Sequence, residues 1–174
     1  MRYADDFVVL CRTEQDAKGA LDIIKAWMKG AELTLHPDKT RVVDMSQPGN
    51  YFDFLGYRFK FNKGRDYRFP SPKSGKKLRE SLREQTKRNN GQSLACIILE
   101  INPILRGWFE YFKHSHRTVF GEIDGWVRMR LRSILRKRAG RKGRGMGMDH
   151  QRYPNKFFAE HGLYSLETAR AQVV

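Results

Sequence analysis

The hydrophobic pattern changes its period near residue 70, and that change restricts the chain to a mixed front section followed by a helical back section. In the front, short apolar runs are separated by turn residues: Phe7-Val8-Val9-Leu10, Leu33–Leu35, Thr40–Met45, Phe54–Phe61 and Tyr67–Phe69. Such runs read as strands, and Asn62-Lys63-Gly64-Arg65 is a good turn sequence between the last two. One helix interrupts them. Thr13 is its expected N-cap, with Asp16 three residues on; Ala17, Leu21, Ile24 and Trp27/Met28 recur at helical spacing, and Gly30 ends the run. Pro70-Ser71-Pro72-Lys73-Ser74-Gly75 has the composition of a linker. Beyond it the spacing predicts four helices. The first passes through Leu78 and Leu82 and is closed by Asn89-Asn90-Gly91, and the second runs from Leu94 to Ile101. The third is opened by Asn102-Pro103 and continues through Lys113, on the rule that proline suits a first helical turn. The fourth runs from about Gly121 to Arg138, with Ile123, Val127, Leu131 and Ile134 on its apolar side. Gly140–Gly147 reads as mobile, and Tyr153–Ala171 as a tail packed back on the bundle. The fold class is α+β.

Charge divides the chain at the same place. Residues 1–70 carry 12 Lys and Arg against 10 Asp and Glu, whereas residues 71–174 carry 22 against 9. Nearly all of the net charge of +15 therefore lies in the helical section. A surface of that sign attracts phosphate backbones or anionic lipid. No apolar run approaches a membrane span of roughly 20 residues, which leaves nucleic acid as the expected partner. Cys11 and Cys96 lie far apart with no Cys-x-x-Cys pair, and read as reduced core thiols in a reducing, cytoplasmic compartment. His114 and His116 have no metal-ligand pattern and read as surface residues.

Two features carry possible chemistry. Met1–Ala4 and Phe7–Leu10 flank Asp5-Asp6 as the two sides of a hairpin with acids near its tip. Adjacent carboxylates repel, and a divalent cation relieves the repulsion; magnesium takes one or two carboxylates together with phosphate oxygens. An ordinary polar turn would use the same residues. In the back section, Arg128, Arg132 and Arg136 recur every four residues, roughly opposite the apolar stripe, and Lys137, Arg138, Arg141, Lys142 and Arg144 adjoin them. With Trp108, Phe109, Tyr111, Phe112 and Trp126 interleaved, phosphate neutralisation and stacking surfaces occur together. The arginine row could also be a solvated face, and the aromatics could be bundle core.

The motifs fall in a familiar order. Tyr3-Ala4-Asp5-Asp6 resembles the palm motif of group II intron-encoded reverse transcriptases. Leu33-Thr34-Leu35-His36-Pro37-Asp38-Lys39-Thr40 resembles the next palm block of that family, and Phe54-Leu55-Gly56-Tyr57 the strand block that closes the palm. Ile104–Phe112 and Asp124–Arg132 are similar to its thumb, or maturase, domain. Tyr153–Phe158 with Gly162-Leu163 is similar to the tail of bacterial members.

The resemblance implies a partial right-hand polymerase palm at 1–69, a linker at 70–75, a helical thumb/maturase bundle at 76–138, a basic glycine-rich linker at 139–152 and a tail at 153–174. It implies that Asp5 and Asp6 are metal-ligating carboxylates for Mg2+, that Tyr3 and Ala4 lie beside the primer end and nucleotide, and that Lys39 assists pyrophosphate departure. Phe54, Leu55, Gly56 and Tyr57 would hold the primer. Arg106 and Trp108 join Arg128, Arg132, Arg136, Lys137, Arg138, Arg141, Lys142 and Arg144 as the expected RNA-binding residues. The implied partners are intron RNA and an RNA/DNA template-primer. In the family, fingers and a further palm aspartate precede this motif, which here begins at residue 3. The reading is therefore the C-terminal part of a polymerase, a truncated copy or half of a split protein, without polymerase activity by itself. A non-catalytic splicing cofactor that binds RNA is the alternative.

Overall fold

The computed structural model describes the backbone of residues 2–3 and 6–173, with side chains from residue 6 onward. The chain is α+β and forms two compact units, residues 1–68 and 69–174.

In the first unit, strand β1 (Arg2–Tyr3) pairs antiparallel with β2 (Asp6–Phe7), in the register Arg2 to Phe7 and Tyr3 to Asp6. Helix α1 (Glu14–Gly30) begins at Thr13, whose Oγ1 accepts from the Asp16 backbone N–H at 3.1 Å, and ends where the spacing places its end. Ala17, Leu21, Ile24 and Met28 line its half-buried side, but none of its residues is buried. Leu33–Leu35 and Thr40–Met45 are not strands. They run as coil and turns with no ladder partner, and an apolar run becomes a strand only where a neighbour takes its backbone hydrogen bonds.

A meander follows: β3 (Tyr51–Phe54), β4 (Tyr57–Asn62) and β5 (Arg65–Pro70), in that spatial order. The run expected as one strand over Phe54–Phe61 is broken after Phe54 by a two-residue turn. Leu55 and Gly56 have φ of 48° and 76°, and Lys63 and Gly64 have 49° and 74°. Positive φ at both central residues gives turns whose twist matches the strands they join. Glycine serves this at no steric cost; Leu55 does so against its own preference. The Phe52 and Phe59 rings, directly paired across β3 and β4, stack at 4.9 Å.

The stretch 70–75, expected as a linker, is the end of β5 followed by the first turn of α2 (Pro72–Gln85). Ser71 caps that helix by accepting from Ser74 N–H at 3.2 Å, and Pro72 opens it, so the turn-like composition is the composition of a helix start. The two helices expected over 94–113 are one, α3 (Leu94–Phe112), with Pro103 inside it. Pro103 is exposed and lacks the N–H that would bond the carbonyl of Leu99, itself an exposed residue. Ile97, Ile101, Leu105, Phe109 and Phe112 stay in phase across it and are buried, and that continuous stripe overrides the local break.

Helix α4 (Thr118–Arg138) brings Phe120, Ile123, Val127, Leu131 and Ile134 to the same core. Short helices α5 (Met148–Arg152), α6 (Asn155–Glu160) and α7 (Leu166–Ala171) complete the unit. Phe158 and Leu166 bury fully against the bundle, so the tail packs back as its apolar residues require. Asn102 does not cap a helix. Its side chain donates to Gly162 O at 2.8 Å and accepts from Tyr164 N–H at 2.9 Å, tying the tail turn to α3. The glycine-rich stretch is not loose throughout. Gly145 is buried, and its N–H donates to Ser133 Oγ at 3.0 Å. Cys11 and Cys96 are free, as expected, but exposed rather than in the core.

Candidate nucleic-acid interface

The acidic hairpin is only partly described. Asp6 lies in β2 opposite Tyr3, and its side chain is exposed. Ala4 and Asp5 lie outside the described residues, as does the Tyr3 side chain. A carboxylate is the hard oxygen donor that magnesium takes, so Asp6 suits that ion in kind. Among the described residues, however, no group of three or more His, Cys, Asp or Glu comes together that could hold a metal. Asp6 alone does not make a site.

Lys39 is exposed on a turn in which the Lys39 and Thr40 N–H groups donate to His36 O. Phe54 is buried, and Leu55, Gly56 and Tyr57 are half-buried around the strained turn. Next to them, Arg58 grips Asp53 with two hydrogen bonds of 2.8 and 2.9 Å and lies 3.7 Å over the Tyr51 ring. Those two hydrogen bonds and the ring contact fix the β3–β4 hairpin around the Leu55-Gly56 corner.

The second unit separates the expected RNA-binding residues into two groups. The arginine row on α4 is not a solvent face. Arg132 is 2% exposed, with Nε donating to Tyr153 O at 2.9 Å and Nη2 to Asn155 Oδ1 at 2.8 Å. Burial first, and then the nearby Arg128 charge, lower its pKa, against the pull of Asp149. Arg136 donates to Asp149 Oδ2 at 2.6 Å and to Lys142 O at 2.7 Å. Arg128 lies 3.9 Å from the buried Asp124 carboxylate. Arg132 and Arg136 face away from the first core only to meet a second layer, formed by residues 142–155. Helical spacing gives the direction of a side chain but not what the rest of the chain lays over it.

The remaining basic residues do face outward. Arg106, Lys137, Arg138, Arg141, Lys142 and Arg144 are exposed. Arg138 donates to the carbonyls of Asn90 and Gln92, which fastens the α2–α3 loop to the end of α4. Arg88, Lys137, Arg141, Lys142 and Gly143 line a shallow concavity of about 260 Å³ with no acidic side chain in its wall. Arg106 lies 4.9 Å from the Tyr164 ring centre. Trp108 is packed against the core, tilted on Phe112 at 4.8 Å, with its indole N–H buried and without a hydrogen-bond partner. It supports the bundle rather than offering a stacking face. Phe109 and Phe112 are core as well, whereas Tyr111 is exposed. His114 is exposed, but His116 is half-buried, with Nδ1 2.9 Å from Thr118 Oγ1 and its ring beside Phe69.

Three groups escaped the sequence reading. Asp149 is the only acid between Asp124 and Glu160, a signal that was legible in a run so basic. Asp124 accepts from Leu166 N–H at 3.1 Å, Glu167 N–H at 3.2 Å and the Ser165 hydroxyl at 2.7 Å, and so caps α7 from another helix. Trp126 is surrounded by Arg79, Arg83 and Arg130, a cluster that needs two helices to meet and leaves no mark in either alone.

A mixed unit with a small antiparallel sheet, followed by a basic helical bundle, fits the class of reverse transcriptases that carry a maturase domain. Residues 1–59 match the family model described as reverse transcriptase (RNA-dependent DNA polymerase), and residues 75–153 match that of the group II intron, maturase-specific domain. The two matches follow one another in the expected order, and the chain belongs to the group II intron reverse transcriptase/maturase family. Comparison with curated proteins finds no match.

Proposed function

We propose that this chain is the RNA-binding part of an intron-encoded reverse transcriptase/maturase, with its helical unit holding intron RNA and template-primer. The observation that carries the reading is the concavity walled by Arg88, Lys137, Arg141 and Lys142, four cations with no acid among them. A phosphate backbone is the polyanion that relieves such crowding, and each phosphate contact on a single strand releases counterions worth about 0.7 in the log–log salt slope. Lys137→Glu/Arg141→Glu/Lys142→Glu should therefore weaken binding of every RNA and lower the slope by about 2. An unchanged affinity and slope would overturn the reading.

On this reading the polymerase copies RNA into DNA and the helical unit assists splicing. Asp5 and Asp6 would be the ligands of magnesium, which when bound supplies charge neutralisation at the transferred phosphate. Lys39, Tyr3 and the Phe54–Tyr57 corner would face primer and nucleotide. This catalytic reading rests on the match of residues 1–59 and on Asp6 standing exposed in β2. A splicing role without copying rests on the match of residues 75–153 alone.

A further inference from the structure

Helix α2 carries Arg79 and Arg83 four residues apart, and α4 carries Trp126 and Arg130 four residues apart, so each pair lies on one helix face. Between the two helices the three guanidinium carbons come to 5.9, 5.7 and 5.3 Å from the Trp126 ring centre, in the order Arg79, Arg83, Arg130. The indole face attracts them by cation–π interaction. They repel one another, and among the described residues none of the three has an acidic partner within ion-pair distance. The neighbouring acid Glu80 is 3.8 Å from Lys76 instead.

The three are not equivalent. Arg130 is fixed: Nε donates to Thr86 Oγ1 at 2.6 Å and Nη2 to Thr86 O at 2.8 Å. Burial first, and then the charge of Arg83, lower its pKa, which marks a cation held in place against repulsion. Among the described residues, Arg79 and Arg83 have no side-chain hydrogen bond of this kind. Arg83 is exposed and Arg79 half-exposed, with guanidinium edges free to form the paired N–H donation that fits a phosphate.

We propose that Arg79 and Arg83, braced on Trp126 with the fixed charge of Arg130 behind them, form a binding site for a phosphodiester of the RNA backbone. The site uses different residues from the rim around Lys137–Lys142, and it rests on the RNA-binding reading above. It would place α2 as well as α4 along the RNA strand. Lysine could replace the charge at these positions but neither the stacking on the indole nor the two-pronged donation.

The test is binding of a single-stranded oligouridylate to the full chain over a range of KCl concentrations. Arg79→Ala/Arg83→Ala should reduce the log–log slope by about 1.4, two contacts at 0.7 each. Arg79→Lys/Arg83→Lys should keep the slope and still lose affinity. The tryptophan emission that distinguishes the parent chain from Trp126→Phe should change on RNA addition, and should stop changing in the double alanine variant. Unaltered thermal melting of the alanine variant would exclude a merely structural role. A double alanine slope equal to that of the parent chain overturns this site and leaves the RNA reading standing. Failure of the parent chain itself to bind at low salt overturns the RNA reading, and this site with it.

Discussion

Arg136 reaches from α4 to Asp149 at the start of α5, Nη1 to Oδ2 at 2.6 Å, with the carboxylate only 1% exposed. The hydrogen bond from Arg136 is the largest influence on Asp149 and holds its pKa below the ordinary 3.8, against the opposing effect of desolvation. Because the folded pKa is depressed, the contribution to stability is fully present above pH 3.8. It is lost as the pH falls from there through the folded value. Asp149→Asn should lower the melting temperature at pH 7, and the deficit should shrink once the parent carboxyl is itself protonated in strong acid. Arg136→Met/Asp149→Leu should recover most of the loss, since removing both partners leaves no uncompensated charge. Thermal melts of the three proteins across pH decide it.

Gly145 and Gly107 should respond to alanine in opposite directions. A Cβ at Gly145 would lie 2.5 Å from Arg132 Cβ and 2.9 Å from the Arg132 carbonyl carbon, so the strand of chain could no longer rest on α4. Overpacking of that kind costs about 1–3 kcal/mol. A Cβ at Gly107, inside α3, meets nothing within 4 Å. There alanine should add about 0.5–1 kcal/mol through helix propensity. Urea unfolding of Gly145→Ala and Gly107→Ala checks both signs.

Asn102→Ala removes the acceptor of the Tyr164 N–H and the donor to Gly162 O. Loss of such partners costs about 1–3 kcal/mol. The expected outcome is faster amide exchange over residues 162–171, where α7 depends on this turn, with α2 protected as before. Uniform acceleration across the unit would show that the tail and bundle unfold together.

Asp5→Asn and Asp6→Asn should each abolish template-dependent extension in any preparation that copies RNA. Neither should change RNA affinity or its salt dependence, because the cations proposed to hold the phosphates all lie in the second unit. A copying enzyme that tolerates Asp6→Asn would remove Asp6 from the metal set.

The core of the second unit was legible because its signal is periodic. Leu78, Leu82, Ile123, Val127, Leu131 and Ile134 recur every three or four residues and are all buried. The caps at Thr13 and the end of α1 at Gly30 were legible because they act within a few residues. The family was legible because its blocks keep their order along the chain. Pro103 misled because a local rule says a helix starts there, while the buried stripe on both sides carries α3 straight through. Leu33–Leu35 misled because strand character depends on a partner that local residues do not specify. The arginine row was read correctly as a face and wrongly as an open one: Arg132 and Arg136 meet Asn155 and Asp149, 23 and 13 residues further on. Periodicity alone fixes which way a side chain points from its own helix. What lies there, a layer of the same protein, a neighbouring arginine or open solvent, is decided when distant segments close on one another to bury the apolar surface between them.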